Sequence, residues 1–466
     1  MCLAVVSAGC GNRLSHEEVL AQNVAKAATG RTAASSQGAV ASEGTSSNEG
    51  AALAGVGATD TASAGTASGA GSTGHAGQAS AATAGAAGSG QSGTSGASAV
   101  GAGTKAPLAI AMVGWLSGIG GQTSGYARDV LVAWSKLVNA RGGINGHPIQ
   151  LYVADDGGNE ARSVSIVRDF VENKHVIALV YYTGGSVLGV ANYVKTKNIP
   201  VIGGNIIEPV WTQNPMLFPT QAATEGHFWG AAKLVYDLGE RKIATVYCTE
   251  VAACQQSNDT FVKLAKEVGL QVVYQGRISF TQPDYTAECL QMRNAGAEAV
   301  VPITENSSTV RLAQSCGRQD YKPIYDLQAV NTGMAKIAQF DNAIGNLATF
   351  PWFLHSGFAG LDEYTQAIQT YAPTRLDDGV DVQSGAWMAG KAFEKAAANV
   401  SDKPTNQEIL DGLWAMKGET LNGLLVGGLA RTYNRGQPTR ETFCVYATRI
   451  QGGEWVAPRG MTPVCR

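Results

Sequence analysis

No proline and no aromatic residue precedes Pro107. Between residues 50 and 104 the only charged side chain is Asp60, and the rest is Ala, Gly, Ser and Thr with scattered Val and Gln, Leu53 and His75. A stretch of that kind cannot bury enough apolar surface to offset the entropy of ordering it, so residues 11–105 read as a disordered tether. A Gly/Ser-rich chain of about 75 residues has a root-mean-square span on the order of 50 Å. What remains is a segment of ordinary globular composition, long enough for two well-filled lobes.

Three further shortages narrow the function. The net charge is −3 and no basic run is present, which excludes the electrostatic footprint of a nucleic-acid binder. No apolar stretch reaches the ~18 residues of a membrane span. No cysteine pair has Cys-x-x-Cys spacing and the six histidines are scattered, so neither a metal nor another cofactor is expected.

Eight cysteines are present. The chain begins MCLAVVSAGC, a short apolar run ending in Ser-Ala-Gly-Cys. This resembles the lipobox of bacterial lipoproteins, which implies a signal remnant over 1–10, a lipid on Cys10 and an anchored domain outside the membrane. Ser7 stands where that family prefers an aliphatic residue, and no Lys or Arg precedes Cys10. The true start is therefore expected a few residues upstream. With Cys2 lost and Cys10 acylated, Cys248, Cys254, Cys289, Cys316, Cys444 and Cys465 remain. An even number in an exported chain points to disulfides, with several connectivities open. Local geometry favours three short loops. Cys248 and Cys254 would bracket one loop after a strand. Cys289 and Cys316 would tie two helices beside one strand. Cys444 and Cys465 would join the arms of a hairpin turning at Gly452-Gly453.

From residue 107 the apolar pattern alternates between strands and helices. Strands are expected at 108–113, 149–155, 176–182 and 199–204, then at 242–248, 270–276, 297–304 and 323–327. Helices between them include 123–141, 186–196, 224–238, 257–268, 284–295 and 307–317. Two runs of this kind predict two α/β lobes with parallel sheets. Later helices near 361–371, 381–398 and 405–416, and strands at 442–450 and 454–457, are available to cross back. Strand carboxyl ends of both sheets would face a shared cleft.

The loop GWLSGIGGQTSG (114–125) has Gly118, Gly120, Gly121 and Gly125, close to G-x-G-x-x-G but with the last glycine one place late. Asp155-Asp156 follows too far downstream for a ribose acid and reads as turn and cap chemistry. Ser186 in Tyr-Thr-Gly-Gly-Ser (182–186) lacks the G-x-S-x-G elbow of a hydrolase nucleophile. His227 and His355 are the available bases, and neither is placed near it by sequence. The helix start at Thr183, Gly184, Gly185 and Ser186 could hold an anion with its free N–H groups, or Ser186 could be an ordinary cap.

The stretches LVNARGGINGHPIQLYVADDGGN (137–159), ALVYYTGGS (178–186), NIPVIGGN (198–205) and ARTYNRGQP (430–438), in that order, resemble the type I periplasmic solute-binding proteins of the branched-chain amino acid and amide group, the substrate receptors of ABC importers. The resemblance runs from Pro107 to about Trp455. It implies two doubly wound parallel-sheet lobes joined by a three-segment hinge. Lobe 1 would comprise 106–222 and 352–430, lobe 2 223–351 and 431–466. It also implies a small polar solute held between the lobes, no catalysis, a membrane permease as partner, and a monomer. A sensor of the same fold and an exported α/β hydrolase are the alternatives. Lobe 1 would offer Trp115, Ser117, Thr183, Gly184, Ser186, Asn205 and Ile207. Lobe 2 would offer Glu250, Thr304, Glu305 and Gln328. Trp352, at one crossing, either walls the cleft or belongs to the core. Amino-acid-binding members carry an acid near the position of Gln328, where it pairs with the ligand's ammonium. An amide supplies no charge, so either Glu250 or Glu305 replaces it or the ligand is not an α-amino acid.

Overall fold

A computed structural model describes residues 104–466, apart from Asn205, Ile206 and Asp378. The expected tether and the lipid site at Cys10 lie outside the described residues.

The first sheet has five parallel strands: β1 (Leu108–Gly114), β2 (Ile149–Asp155), β3 (Ala178–Thr183), β4 (Val201–Gly204) and β5 (Leu217–Phe218), in the order β2-β1-β3-β4-β5. Strands β1, β3 and β4 are short apolar runs buried along most of their length, as a sheet covered on both faces requires, while the edge strand β2 is only partly buried. Helices α1 (Gly118–Ala140), α2 (Glu160–Glu172) and α3 (Val187–Lys197) make the crossovers. Because strand order reverses at β1, right-handed crossovers place them on opposite faces.

The second sheet begins likewise. Strands β6 (Lys242–Cys248), β7 (Gln271–Ile278), β8 (Ala299–Ile303), β9 (Ile324–Leu327) and β10 (Ile344–Leu347) are parallel in the order β7-β6-β8-β9-β10. Its far edge is antiparallel: β11 (Cys444–Gln451) pairs with β10, β12 (Glu454–Val456) and β13 (Val464–Cys465). Helices α4 (Thr224–Asp237), α5 (Ala252–Val268), α6 (Thr286–Asn294) and α7 (Asn306–Arg318) flank it. A short α8 (Thr332–Ala335) follows β9.

The chain then returns. Helices α9 (Ala359–Tyr371) and α10 (Val382–Ala396) pack against α1, and α11 (Asn406–Ala415) packs against α10. Trp134 of α1 and Phe393 of α10 meet edge to face at 6.3 Å. The Trp134 ring lies where a Cβ on Gly390 would stand 2.6 Å from it, so glycine is what lets these two helices approach.

Three chain segments cross between the sheets, near 219–223, 349–352 and 430–433. They are knitted by buried polar groups. Tyr433 Oη donates to the Pro219 carbonyl at 3.0 Å, and the Arg431 guanidinium donates to the carbonyls of Leu429 and Gln221 and to Thr442 Oγ1. Ser384 Oγ on α10 donates to Thr349 Oγ1 at 2.8 Å.

All three local disulfides form: Cys248–Cys254, Cys289–Cys316 and Cys444–Cys465. The first closes the loop between β6 and α5, and the second ties α6 to α7. The third differs from expectation in its partner strand. The hairpin turn at Gly452-Gly453 joins β11 to β12, but Cys465 lies on β13, where it is the registered neighbour of Cys444.

Candidate functional site

In a parallel sheet, a crevice opens at the carboxyl edge where strand order reverses. Each sheet has such a point. In the first it lies between β1 and β3, and the Trp115 N–H donates there to the Thr183 carbonyl at 3.0 Å. In the second it lies between β6 and β8, and there the chain places Glu250 on one side and Thr304 and Glu305 on the other.

The glycine loop is shorter than expected. Helix α1 begins at Gly118, not at 123. The glycines of its first turn are explained by the loop folding back on it. A Cβ on Gly120 would stand 2.3 Å from the Trp115 ring, and one on Gly121 would stand 2.5 Å from the Leu116 carbonyl oxygen. These glycines leave room for the protein's own Trp115, not for a phosphate or a solute. Gly158, across the Asp-Asp turn, takes the other side of the same indole: its Cβ would stand 2.7 Å from the ring, and its φ is +75°. Gly158→Ala therefore combines a steric conflict with a left-handed backbone that alanine resists. We expect a loss of about 1–3 kcal/mol, read from the urea midpoint. An unshifted midpoint would mean that Trp115 is not held there.

Asp155 and Asp156 are turn acceptors. Asp155 Oδ1 accepts from the N–H groups of Leu116 (2.8 Å) and Gly157 (2.9 Å). Partial burial pushes its carboxyl up, but these bonds and the Ser117 hydroxyl outweigh that and hold it below the usual range. Ser117 is thus tied to Asp155. Asp156 accepts from Gly158 (2.8 Å) and, through Oδ2, from Gly185 (2.6 Å). Gly184 permits this reach, since a Cβ there would stand 2.3 Å from Asp156 Oδ2.

The helix start after β3 is therefore occupied by the protein itself. Gly185 donates to Asp156, Val187 donates to Glu208 Oε2 at 2.9 Å, and Ser186 Oγ caps α3 by accepting from Leu188. Burial raises the Glu208 carboxyl despite these donors. An anion cradle with two resident carboxylates is already neutralised. Nor is Ser186 a nucleophile: His227 bonds to Gln328 in the other sheet, and His355 faces Asp377.

Thr183 is different. It is buried, and its Oγ1 has no hydrogen-bond partner among the described residues. Thr304, at the matching edge of the second sheet, also has a buried and unpartnered Oγ1. Ile207 is exposed in the loop after β4, and Asn205 lies outside the described residues. Trp352 is fully buried and packs edge to face on Phe353 at 5.5 Å, a core placement with no open face.

The two acids weighed as replacements at the Gln328 position are both engaged locally. The Glu250 carboxylate takes the Ser279 hydroxyl and the Phe280 N–H (2.8 Å), which ties the loop after β6 to that after β7. Glu305 caps α7, accepting from the N–H groups of Ser307 and Ser308 at 2.6 Å. Gln328 Oε1 accepts from His227 Nε2 at 3.0 Å.

Two carboxylates not singled out in the sequence stand apart. Asp326, within β9, is fully buried with both oxygens unpartnered, and burial raises it far above the usual range. An acid inside the apolar run Ile-Tyr-Asp-Leu was a visible signal of this. Asp381, which precedes α10, has a buried, unpartnered Oδ1. Its backbone joins the two halves of the molecule. The Asp381 N–H donates to the Val330 carbonyl (2.9 Å), the Thr332 N–H to Gly379 (3.0 Å), and the Gly379 N–H to Thr332 Oγ1 (2.9 Å).

Comparisons with known proteins agree with this architecture. The family model described as periplasmic binding protein matches residues 107–454. Among solved structures, an extracellular ligand-binding receptor from Verminephrobacter eiseniae has a TM-score of 0.65 at 17% identity, covering 75% of this chain and 100% of that one. A branched-chain amino acid ABC transporter protein from Thermus thermophilus, with bound valine, has a TM-score of 0.66 at 16% identity, covering 78% and 97%. A solute-binding protein from R. palustris, in complex with benzoate, has a TM-score of 0.61 at 13% identity, covering 77% and 98%. No curated protein sequence matches. The family match spans well over half of the chain, on a fold with a switch point in each of two sheets, and the chain belongs to the periplasmic binding protein family of non-catalytic solute-binding proteins.

Proposed function

We propose that this protein is the extracytoplasmic, lipid-anchored substrate-binding component of an ABC importer. It closes two lobes, 106–222 with 352–430 and 223–351 with 431–466, around a small polar solute and presents it to a membrane permease. The observation that carries this reading is the pair of orphaned hydroxyls, Thr183 and Thr304, one at the switch point of each sheet. A buried polar group without a partner costs about 1–3 kcal/mol, and a solute bridging the lobes would supply the missing bonds. Trp115 and Ile207 would line the first lobe beside Thr183, and Gln328 the second beside Thr304. Three disulfides suit an oxidising compartment outside the cytoplasm. The relatives with valine and benzoate support a solute of that size.

A thermal-shift screen over amino acids, amines, amides and small carboxylic acids tests the reading, since a specific ligand raises the melting temperature by linkage. In Thr183→Val the affinity for the solute so found should fall roughly tenfold, the equivalent of one hydrogen bond, with little change in the unliganded melting point. Failure of every small solute to shift the wild type would refute the importer reading.

A further inference from the structure

Near the lobe junction two acceptors, Gln221 Oε1 and Asp381 Oδ1, are buried without a partner among the described residues, and the indole N–H groups of Trp352 and Trp387 are unpaired as well. Gln221 lies on the first crossing segment and is 9% exposed; its Nε2 donates to the Gly204 carbonyl at 3.1 Å, while its Oε1 has no partner among the described residues. Tyr181 lies on β3, two residues before Thr183, and is 1% exposed at a φ of +65°. A bulky residue in that region is strained, and its phenol lies against α10. A Cβ on Gly385 would stand 2.9 Å from Tyr181 Oη and 3.2 Å from Gln221 Oε1, so both oxygens crowd over that glycine. Asp381 lies one turn earlier on the same helix, partly exposed, with Oδ1 unpartnered, and close enough for its charge to act on the Tyr181 phenol.

We infer that Asp381, Gln221 and Tyr181 form the seat for a cationic nitrogen, so that the solute is a small molecule bearing an ammonium or guanidinium group. The inference rests on the solute-binding reading above and names the chemistry of that site. Gln221 Oε1 and Asp381 Oδ1 accept and have nothing to accept from, and a carboxylate beside an amide oxygen calls for a donor-rich, positively charged partner. The helix start where an anionic group would otherwise dock is already filled by Asp156 and Glu208. Glu250 and Glu305 are engaged in their own loops, and Asp326 is sealed inside the second sheet. Asp381 is the carboxylate that combines an unpaired oxygen, partial exposure and a place where the lobes meet. It would take the part that Gln328 cannot.

The test uses the intact protein and three probe classes. These are primary amines, guanidines and amino acids; carboxylic acids without nitrogen, such as benzoate; and neutral amides, such as urea. Members of the first class should raise the melting temperature of the wild type. The affinity of the best of them, by calorimetry, should fall at least tenfold in Asp381→Asn and also in Gln221→Met. Asp326→Asn should bind it as the wild type does. Binding confined to carboxylic acids or neutral amides, or an equal loss in Asp326→Asn, overturns the assignment and leaves the solute-binding reading intact. Silence from all three classes overturns both.

Discussion

Arg431→Met should lower the stability of the folded chain by about 3 kcal/mol, seen as a fall in the urea midpoint with an unchanged slope. Arg431 is 2% exposed, and its guanidinium lies where two of the three crossing segments meet. Its nitrogens reach the Leu429 carbonyl (2.6 Å), the Gln221 carbonyl (3.3 Å) and Thr442 Oγ1 (3.1 Å). Its backbone also bonds in both directions with Glu419. Glu441, itself largely buried, accepts from the N–H groups of Ala223 and Thr442 and feels the Arg431 charge. Methionine keeps the volume and removes every one of these donors, so buried acceptors on both crossings lose a partner at once. Arg431→Lys retains the charge but not the fork, and should lose less. A methionine variant within about 0.5 kcal/mol of the wild type would show that the crossings are held by packing alone.

Between pH 4 and pH 7 two desolvated groups, His227 and Asp381, should act on stability in opposite senses. Burial pushes the His227 imidazole down to about 4, against the bond to Gln328. The unfolded chain, with an ordinary His near 6.5, then binds a proton that the native state refuses. Stability therefore rises with pH through that window, by on the order of 3 kcal/mol between pH 4 and pH 6.5. Burial pushes the Asp381 carboxyl up to about 7. Here the native state keeps a proton that the unfolded chain has released, so stability falls as pH rises from about 4 to about 7. The two trends largely cancel in the wild type, and single variants should expose each. Asp381→Asn should be more stable than the wild type at pH 8 by up to about 4 kcal/mol, the gain vanishing near pH 4. His227→Gln should lose the acid-side decline. Equal unfolding free energies for Asp381→Asn and wild type at pH 8 would show that this carboxylate is not desolvated. A gain in stability with a loss of binding is the usual mark of a residue kept for function.

Much of the fold was legible in the order of apolar runs. The strands of both sheets and the helices between them fall within a few residues of the periodic pattern, because a parallel sheet covered on both faces needs such runs. The strands that escaped notice are Leu217–Phe218, Ile344–Leu347 and Val464–Cys465. They are too short to carry a period, and Gly345 and Asn346 break the second. The start of α1 was misplaced because its glycines answer to Trp115, a contact invisible to a local pattern.

The same division holds for the site. Thr183, Thr304 and the loop after β1 were legible as strand-end positions, since whatever follows the strands next to a reversal in order lies at that edge and sequence order alone puts those residues there. Asp381, Gln221 and Tyr181 were not. They come from a helix start, a crossing segment and a strand, separated by up to two hundred positions in the chain. Nothing in the neighbouring sequence marks Asp381 or Gln221 as unpaired. Whether a buried oxygen finds a donor depends on which side chains the fold brings within hydrogen-bond distance, and that is a property of the packed molecule, not of any stretch of its sequence.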